Sequence, residues 1–222
     1  MKTRSKISWS LSDWFNKDKT FIKRHHTTKV FGVGMNDMDV QTKPTDSVSN
    51  PIYTKWQRML ERSYCSKYKN KFPTYANVSV CERWLTFSHF REDYLNLVSD
   101  IEGRKSFILD KDLLIKGNKV YSLETCSLLP PKINSFLTSC TTRRGKLPQG
   151  VSKRSKGHKF MVTLSYGGLN RNLGDFNTPE EAFLVYKNAK EDSAKVLAEE
   201  NKSLLLPNEF NALYNFRVDI TD

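Results

Sequence analysis

The chain has 222 residues, 38% of them hydrophobic and 12% aromatic, and carries a formal net charge of +12. That length suits one large domain or two small ones with real cores, and the aromatic content excludes a disordered chain. No apolar run is long enough to cross a bilayer and the start, MKTRSKISWSLSDW, lacks the apolar stretch of a signal peptide, so a soluble, cytoplasmic protein is expected, with no membrane partner.

Residues 1–29 read as a basic arm carrying one short amphipathic turn around Trp9, Trp14 and Phe15; His25 and His26 lie in its polar part as surface residues. VFGVG at 30–34 suggests a strand and a turn, followed by a polar loop. Asn50 as N-cap and Pro51 as first helical residue open a helix over 51–65, in which Tyr53, Trp56, Leu60 and Tyr64 recur at helical spacing. KYKNKFPTY is a loop. A second helix runs from about Glu82 or Thr86 to Val98, with Trp84, Leu85, Phe87, Phe90, Tyr94 and Leu97 on one broad apolar face; His89 beside it is a packing or hydrogen-bonding residue. SFILDKDL is a strand, KGN a tight turn, VYSLETCSLL a return strand, and PPKINSFL a short helix.

TSCTTRRGKLP has the composition of a linker, placed at 139–146. GVSKRSK, KFMVTLSY and LNRNLGDF then form a three-stranded meander, with Phe160, Val162 and Leu164 on one face and Met161, Thr163 and Ser165 on the other. Thr178, Pro179 and Glu181 open a helix whose apolar face is Ala182, Phe183, Tyr186, Ala189, Ala194 and Leu197. The tail, residues 203–222, packs back as a turn of helix and a strand. The fold class is α+β: a helical and β-hairpin domain over 30–138, then a small antiparallel sheet plus helix over 147–202.

The four cysteines, Cys65, Cys81, Cys126 and Cys140, form no CxxC pair and have no histidine at ligand spacing. Zinc modules are excluded, no metal ligands are expected, and the thiols are read as reduced and mostly buried. The charge is concentrated: +6 over residues 1–30, +3 over 31–138, +7 over 139–176, and −2 in each of 177–202 and 203–222. Clustered Lys and Arg gain free energy by releasing counterions condensed on a phosphate backbone, so the expected partner is a polyanion.

The stretch GVSKRSKGHKFMVTLSYGGLNRNLGDFNTPEEAFLVYKNAK resembles an AP2-type DNA-binding domain. Gly150, Val151, Phe160, Leu173, Gly174, Phe176, Thr178, Glu180, Glu181, Ala182, Tyr186 and Ala189 carry that resemblance over about a quarter of the chain. It implies double-stranded DNA as partner, read by the sheet face turned away from the helix. Ser152, Arg154, Lys156, Thr163, Ser165, Asn170 and Asn172 are placed on that face, with Lys153, Lys159 and Arg171 nearby and Arg143, Arg144 and Lys146 in the linker for phosphates. Arg pairs bidentately with guanine and Asn with adenine, which singles out Arg154, Asn170 and Asn172 for base readout. Ser165 and Asn172 stand where plant members carry Arg or Trp.

The block YTKWQRMLERSYC, PTY, VCERWLTFSHF, LDKD, GNKVYS and IN resembles phage-type HNH homing endonucleases, which join such a domain to an AP2-type module. In that family a histidine ends the first hairpin strand as general base, an asparagine orients the water, and a helix residue helps hold a divalent metal. The corresponding residues are Asp110, Lys111, Asp112, Asn118 and Asn134, with Lys111 or Asp112 where the histidine belongs. A protonated lysine is a poor general base and an aspartate a weak one, so catalysis is not expected; Lys111 is read as a phosphate contact. The resemblance therefore implies a domesticated nuclease scaffold, working in a bacterial host on host or phage DNA, that binds a defined site and represses transcription by occupying a promoter. No cofactor is expected. The rivals are an active Mg²⁺-dependent nuclease, and an interaction protein whose aromatic helices over 51–65 and 82–98 hold a protein partner or a second copy as a homo-oligomer.

Overall fold

The computed structural model describes residues 29–38, 51–138 and 147–222. The basic arm, Asn50 and most of the linker, with Arg143, Arg144, Lys146 and Cys140, lie outside them. The chain divides into two compact units, Met1–Tyr94 and Leu95–Asp222.

In the first unit, helix α1 (Pro51–Tyr64) follows the expected start at proline. A second, short helix α2 (Ser66–Lys71) and a 3-10 turn Pro73–Tyr75 replace the expected loop. Local ring contacts explain it: Tyr68 packs on Phe72 and Tyr75 with centroids 4.7 and 5.5 Å apart, and Lys69 Nζ donates to the Ala76 carbonyl. Strand β1 (Ser79–Val80) and a 3-10 turn Glu82–Leu85 lead into α3 (Phe87–Val98), so the second helix starts after Thr86. At 30–34 a single Val30–Gly34 bridge closes a turn instead of a strand. The aromatic faces of α1 and α3 bury one another. Trp56, Trp84, Phe87 and Phe90 are fully buried, Trp56 Nε1 donates to the Trp84 carbonyl at 2.7 Å, and Trp84 Nε1 donates to Asp93 at 2.8 Å. The aromatic residues expected as a partner-binding surface are thus core. His89, expected as a packing or hydrogen-bonding residue, is exposed, which removes the packing role.

The second unit starts at Leu95 in the last turn of α3 and continues with a 3-10 turn Arg104–Ser106 and β2 (Ile108–Asp110), which pairs antiparallel with β4 (Ser127–Leu129), Leu109 opposite Leu128. The tight turn expected at KGN forms, with the Asn118 amide donating to the Ile115 carbonyl at 3.1 Å and Gly117 at φ +75°, but β2 pairs with β4, and the short β3 (Val120–Tyr121) lies in the excursion between them. Helix α4 (Pro131–Leu137) follows. The meander forms as β5 (Val151–Lys153), β6 (Phe160–Tyr166) and β7 (Leu169–Phe176) in the order β5-β6-β7. Helix α5 (Pro179–Glu200) starts at Thr178, whose hydroxyl accepts from the Glu181 amide at 3.2 Å. A 3-10 turn Lys202–Leu204 and α6 (Pro207–Tyr214) complete the unit; the tail forms no strand after α6.

Two apolar clusters sit along α5. Its first half, through Ala182, Phe183 and Tyr186, covers Val151, Val162 and Leu164 of the sheet. Its second half, through Ala194, Leu197 and Ala198, packs with Leu129, Ile133 and Phe136 and with Leu205 and Leu213. At about 1.5 Å rise per residue, a helix of this length spans roughly 33 Å, enough to serve both clusters. Gly150 makes the sheet's approach to α5 possible: its φ is +76°, and a Cβ there would lie 2.0 Å from the Tyr186 ring. Gly150→Ala combines left-handed strain with that clash and should cost about 2 kcal/mol, read as a lowered thermal midpoint. No helix among the described residues is long and apolar enough to cross a membrane.

Candidate nucleic-acid interface

Strand alternation sorts the sheet's side chains by face. Val151 and Val162 pair across β5 and β6 and point to α5, so their neighbours Ser152 and Met161 point away. The β6–β7 register then stacks outward-facing rows: Ser152, Met161 and Asp175; Thr163 and Asn172; Ser165 and Asn170. Of the residues expected on this face, Ser152, Thr163, Ser165, Asn170 and Asn172 are brought together, with Arg154 reaching Asp175 at its edge.

The polar groups of this face are already oriented. Ser165 Oγ donates to Asn170 Oδ1 at 2.5 Å, and Asn172 Oδ1 accepts from the Gly174 amide at 3.0 Å. Each asparagine oxygen thus accepts one hydrogen bond inside the sheet and keeps a second lone pair. Arg154 forms a side-on bidentate pair with Asp175, Nε to Oδ1 at 2.9 Å and Nη2 to Oδ2 at 3.0 Å. The hydrogen bond from Arg154 holds the Asp175 carboxyl below the usual carboxylate range.

The cations expected nearby divide. Lys156 and Lys159 are exposed in the β5–β6 connection. Lys153 and Arg171 are exposed too, but pair across the sheet with Phe160 and Leu164, and the Arg171 guanidinium lies 6.0 Å from the Tyr166 ring. Beside β5 a groove of about 620 Å³ is lined by residues of α4, β5, β6, β7 and α5, Lys153, Ser165, Asn170 and Lys190 among them. Lys190 is a residue that sequence reading passes over. It is buried, donates to the Phe136 carbonyl and sits 3.7 Å from that residue's ring centre, and burial lowers its ammonium to about 8. A lysine at an apolar helical position, one turn beyond Tyr186, was the available signal.

The hairpin residues are tied to one another. Asp110 Oδ1 accepts from the amides of Asp112 and Leu113 at 3.0 and 2.8 Å, and burial pushes its carboxyl up. Lys111, read from sequence as an accessible phosphate contact, is instead buried: its ammonium lies 2.8 and 2.6 Å from the two Asp112 oxygens and 3.2 Å from the Asn118 carbonyl. Asn118 donates to the carbonyls of Lys111 and Val120 and accepts from the Val120 amide. Asn134 lies half-buried on α4. Cys65, Cys81 and Cys126 are free thiols, Cys126 being buried. Among the described residues, no group of three or more His, Cys, Asp or Glu is arranged to hold a metal ion. Compared with protein-family models, with curated proteins and with solved structures, the chain has no match.

Proposed function

We propose that this chain binds double-stranded DNA at a defined sequence, with the outer face of β5, β6 and β7 in the major groove, and that it represses transcription by occupying a promoter without cutting it. The observation that carries this reading is the shared outward face of Ser152, Thr163, Ser165, Asn170 and Asn172. Three strands about 4.8 Å apart make a ribbon roughly 10 Å wide, which suits a major groove about 12 Å wide. Exposed Lys153, Lys156, Lys159 and Arg171 supply phosphate neutralisation around it. Four such contacts correspond to a slope of log K against log salt of about −4, steeper if Arg143, Arg144 and Lys146 also engage phosphates.

Binding without cleavage is supported by the hairpin. A general base must have an accessible lone pair within hydrogen-bond reach of the attacking water. The Lys111 ammonium is committed to Asp112 and the Asn118 carbonyl, and the Asn118 amide holds its own turn. These groups brace the loop.

The test is to incubate the full chain with sheared genomic DNA, with and without Mg²⁺ or Mn²⁺, and to sequence both the retained fragments and any new ends. Enrichment of a promoter-proximal sequence with unchanged ends is expected. Reproducible metal-dependent breaks, lost in Asp110→Ala, would replace repression by nuclease activity. Retention that ignores both sequence and salt would reject DNA as the partner.

A further inference from the structure

We infer that Asp175 is a positioning residue that commits Arg154 to reading a guanine, an inference that rests on the DNA-binding reading above. A guanidinium carries five N–H donors in a rigid plane. Asp175 occupies two of them, the Nε proton and one Nη2 proton, in a side-on pair at 2.9 and 3.0 Å. The second Nη2 proton and the two on Nη1 remain. One proton from each terminal nitrogen projects from the far edge of the plane, parallel to the other, and that spacing matches O6 and N7 of guanine in the major groove.

The pair also has no other evident purpose. Arg154 and Asp175 side chains are 39% and 34% exposed, and an exposed ion pair contributes little to stability. A carboxylate on a surface meant for phosphates is unfavourable by itself, and an unpaired one would select cytosine through its N4 donor. Bound to Arg154, the carboxylate has its charge offset and each oxygen already accepts one charge-assisted hydrogen bond, which weakens its pull on a cytosine N4 donor and leaves it restraining the arginine. The arginine is anchored from behind as well, since its amide donates to the Lys159 carbonyl at 3.0 Å. Restraint matters because a free arginine must lose the freedom of a long side chain when it meets a base.

The experiment selects binding sites from a randomised duplex library with the full-length protein and with Asp175→Asn and Arg154→Ala. Affinity for the selected site and its single-base variants is then measured at one salt concentration. For the unmodified protein, replacing one G·C pair should weaken binding about 10–100-fold. Arg154→Ala should abolish that preference. Asp175→Asn should reduce it about tenfold at that position alone, while binding to sites lacking the guanine tightens because a negative charge has left the face. Opposite signs for discrimination and background affinity distinguish positioning from a structural role. Full guanine discrimination in Asp175→Asn, or equal loss at every position, would overturn the inference while leaving the DNA-binding reading intact. No selected sequence with the unmodified protein would overturn the reading itself, and this inference with it.

Discussion

Glu209→Ala is expected to destabilise the protein by about 3–5 kcal/mol, because it strands a guanidinium that has no access to water. Arg104 and Glu209 side chains are 0% and 1% exposed. Every donor of Arg104 has a place. Nε and Nη2 donate to the Leu97 carbonyl at 3.0 and 2.8 Å, Nη1 to the Leu204 carbonyl at 2.9 Å, and Nη1 and Nη2 to the two Glu209 oxygens at 2.7 and 2.9 Å. Glu209 in turn accepts from the amides of Leu128 in β4 and Leu206 at the start of α6. Two charges therefore join the 3-10 turn at 104, the hairpin and the C-terminal helix. Urea denaturation of Glu209→Ala, Arg104→Met and the double variant Arg104→Met with Glu209→Ala measures the coupling. The double variant should lose less than the sum of the singles, since it leaves no buried charge, though it still deprives the Leu97 and Leu204 carbonyls and the Leu128 and Leu206 amides of these partners. A loss below about 1 kcal/mol in Glu209→Ala would mean that water reaches Arg104.

Stability is also expected to rise with pH between about 8 and 10.5, by about 3 kcal/mol, through Lys190. Burial lowers its ammonium in the folded protein from the ordinary 10.5 to about 8. Below pH 8 both folded and unfolded states are protonated, and the folded protein carries the full cost of the buried charge. Between the two values the unfolded state binds more protons, so unfolding becomes less favourable as pH rises; above 10.5 both are neutral and the gain is complete. The gap of about 2.5 pH units at 1.36 kcal/mol each gives the magnitude. Burial, with Arg58 and Arg62 close by, also lowers Lys55, with the same sign, so the difference between the unmodified protein and Lys190→Met isolates the effect. Lys190→Met should flatten the rise in unfolding free energy measured from pH 7.5 to 10. An unchanged slope would place the titration elsewhere.

The hairpin marks a limit of sequence reading. Asp110, Lys111, Asp112, Asn118 and Asn134 are plain in the sequence. What each side chain does depended on its partners. Lys111 is followed directly by the carboxylate that neutralises it, and Asn118 closes back on residues 111 and 120, so an apparent DNA contact became an internal brace. The aromatic stripes of α1 and α3 changed meaning likewise: periodicity identifies an apolar face, and only the packing of Tyr53 and Trp56 on Phe87, with ring centroids 5.2 and 5.3 Å apart, establishes that the two cover each other.

The sequence by itself determined the α+β class, the principal helices, the three-stranded meander with its order, the start of α5 at Thr178 and the concentration of positive charge. These follow from local chemistry: alternation with period 2, apolar spacing near 3.6, a capping hydroxyl, proline at a first turn. Tertiary structure alone decided the outer face of β7. Perfect alternation after Asn170 and Asn172 would send Gly174 and Phe176 outward and Asp175 inward. Between Val162 and Thr163 the register shifts, so that Asn172 and Gly174 face consecutive residues of β6 and Leu173 is the extra one. Gly174, at φ +126°, accommodates the bulge and the Asn172 side chain accepts from its amide. Phe176 thereby returns to the core, and Asp175 emerges beside Arg154. The one-residue shift is set by pairing with β6 and by burying Phe176 near α5, interactions that no local pattern in β7 encodes.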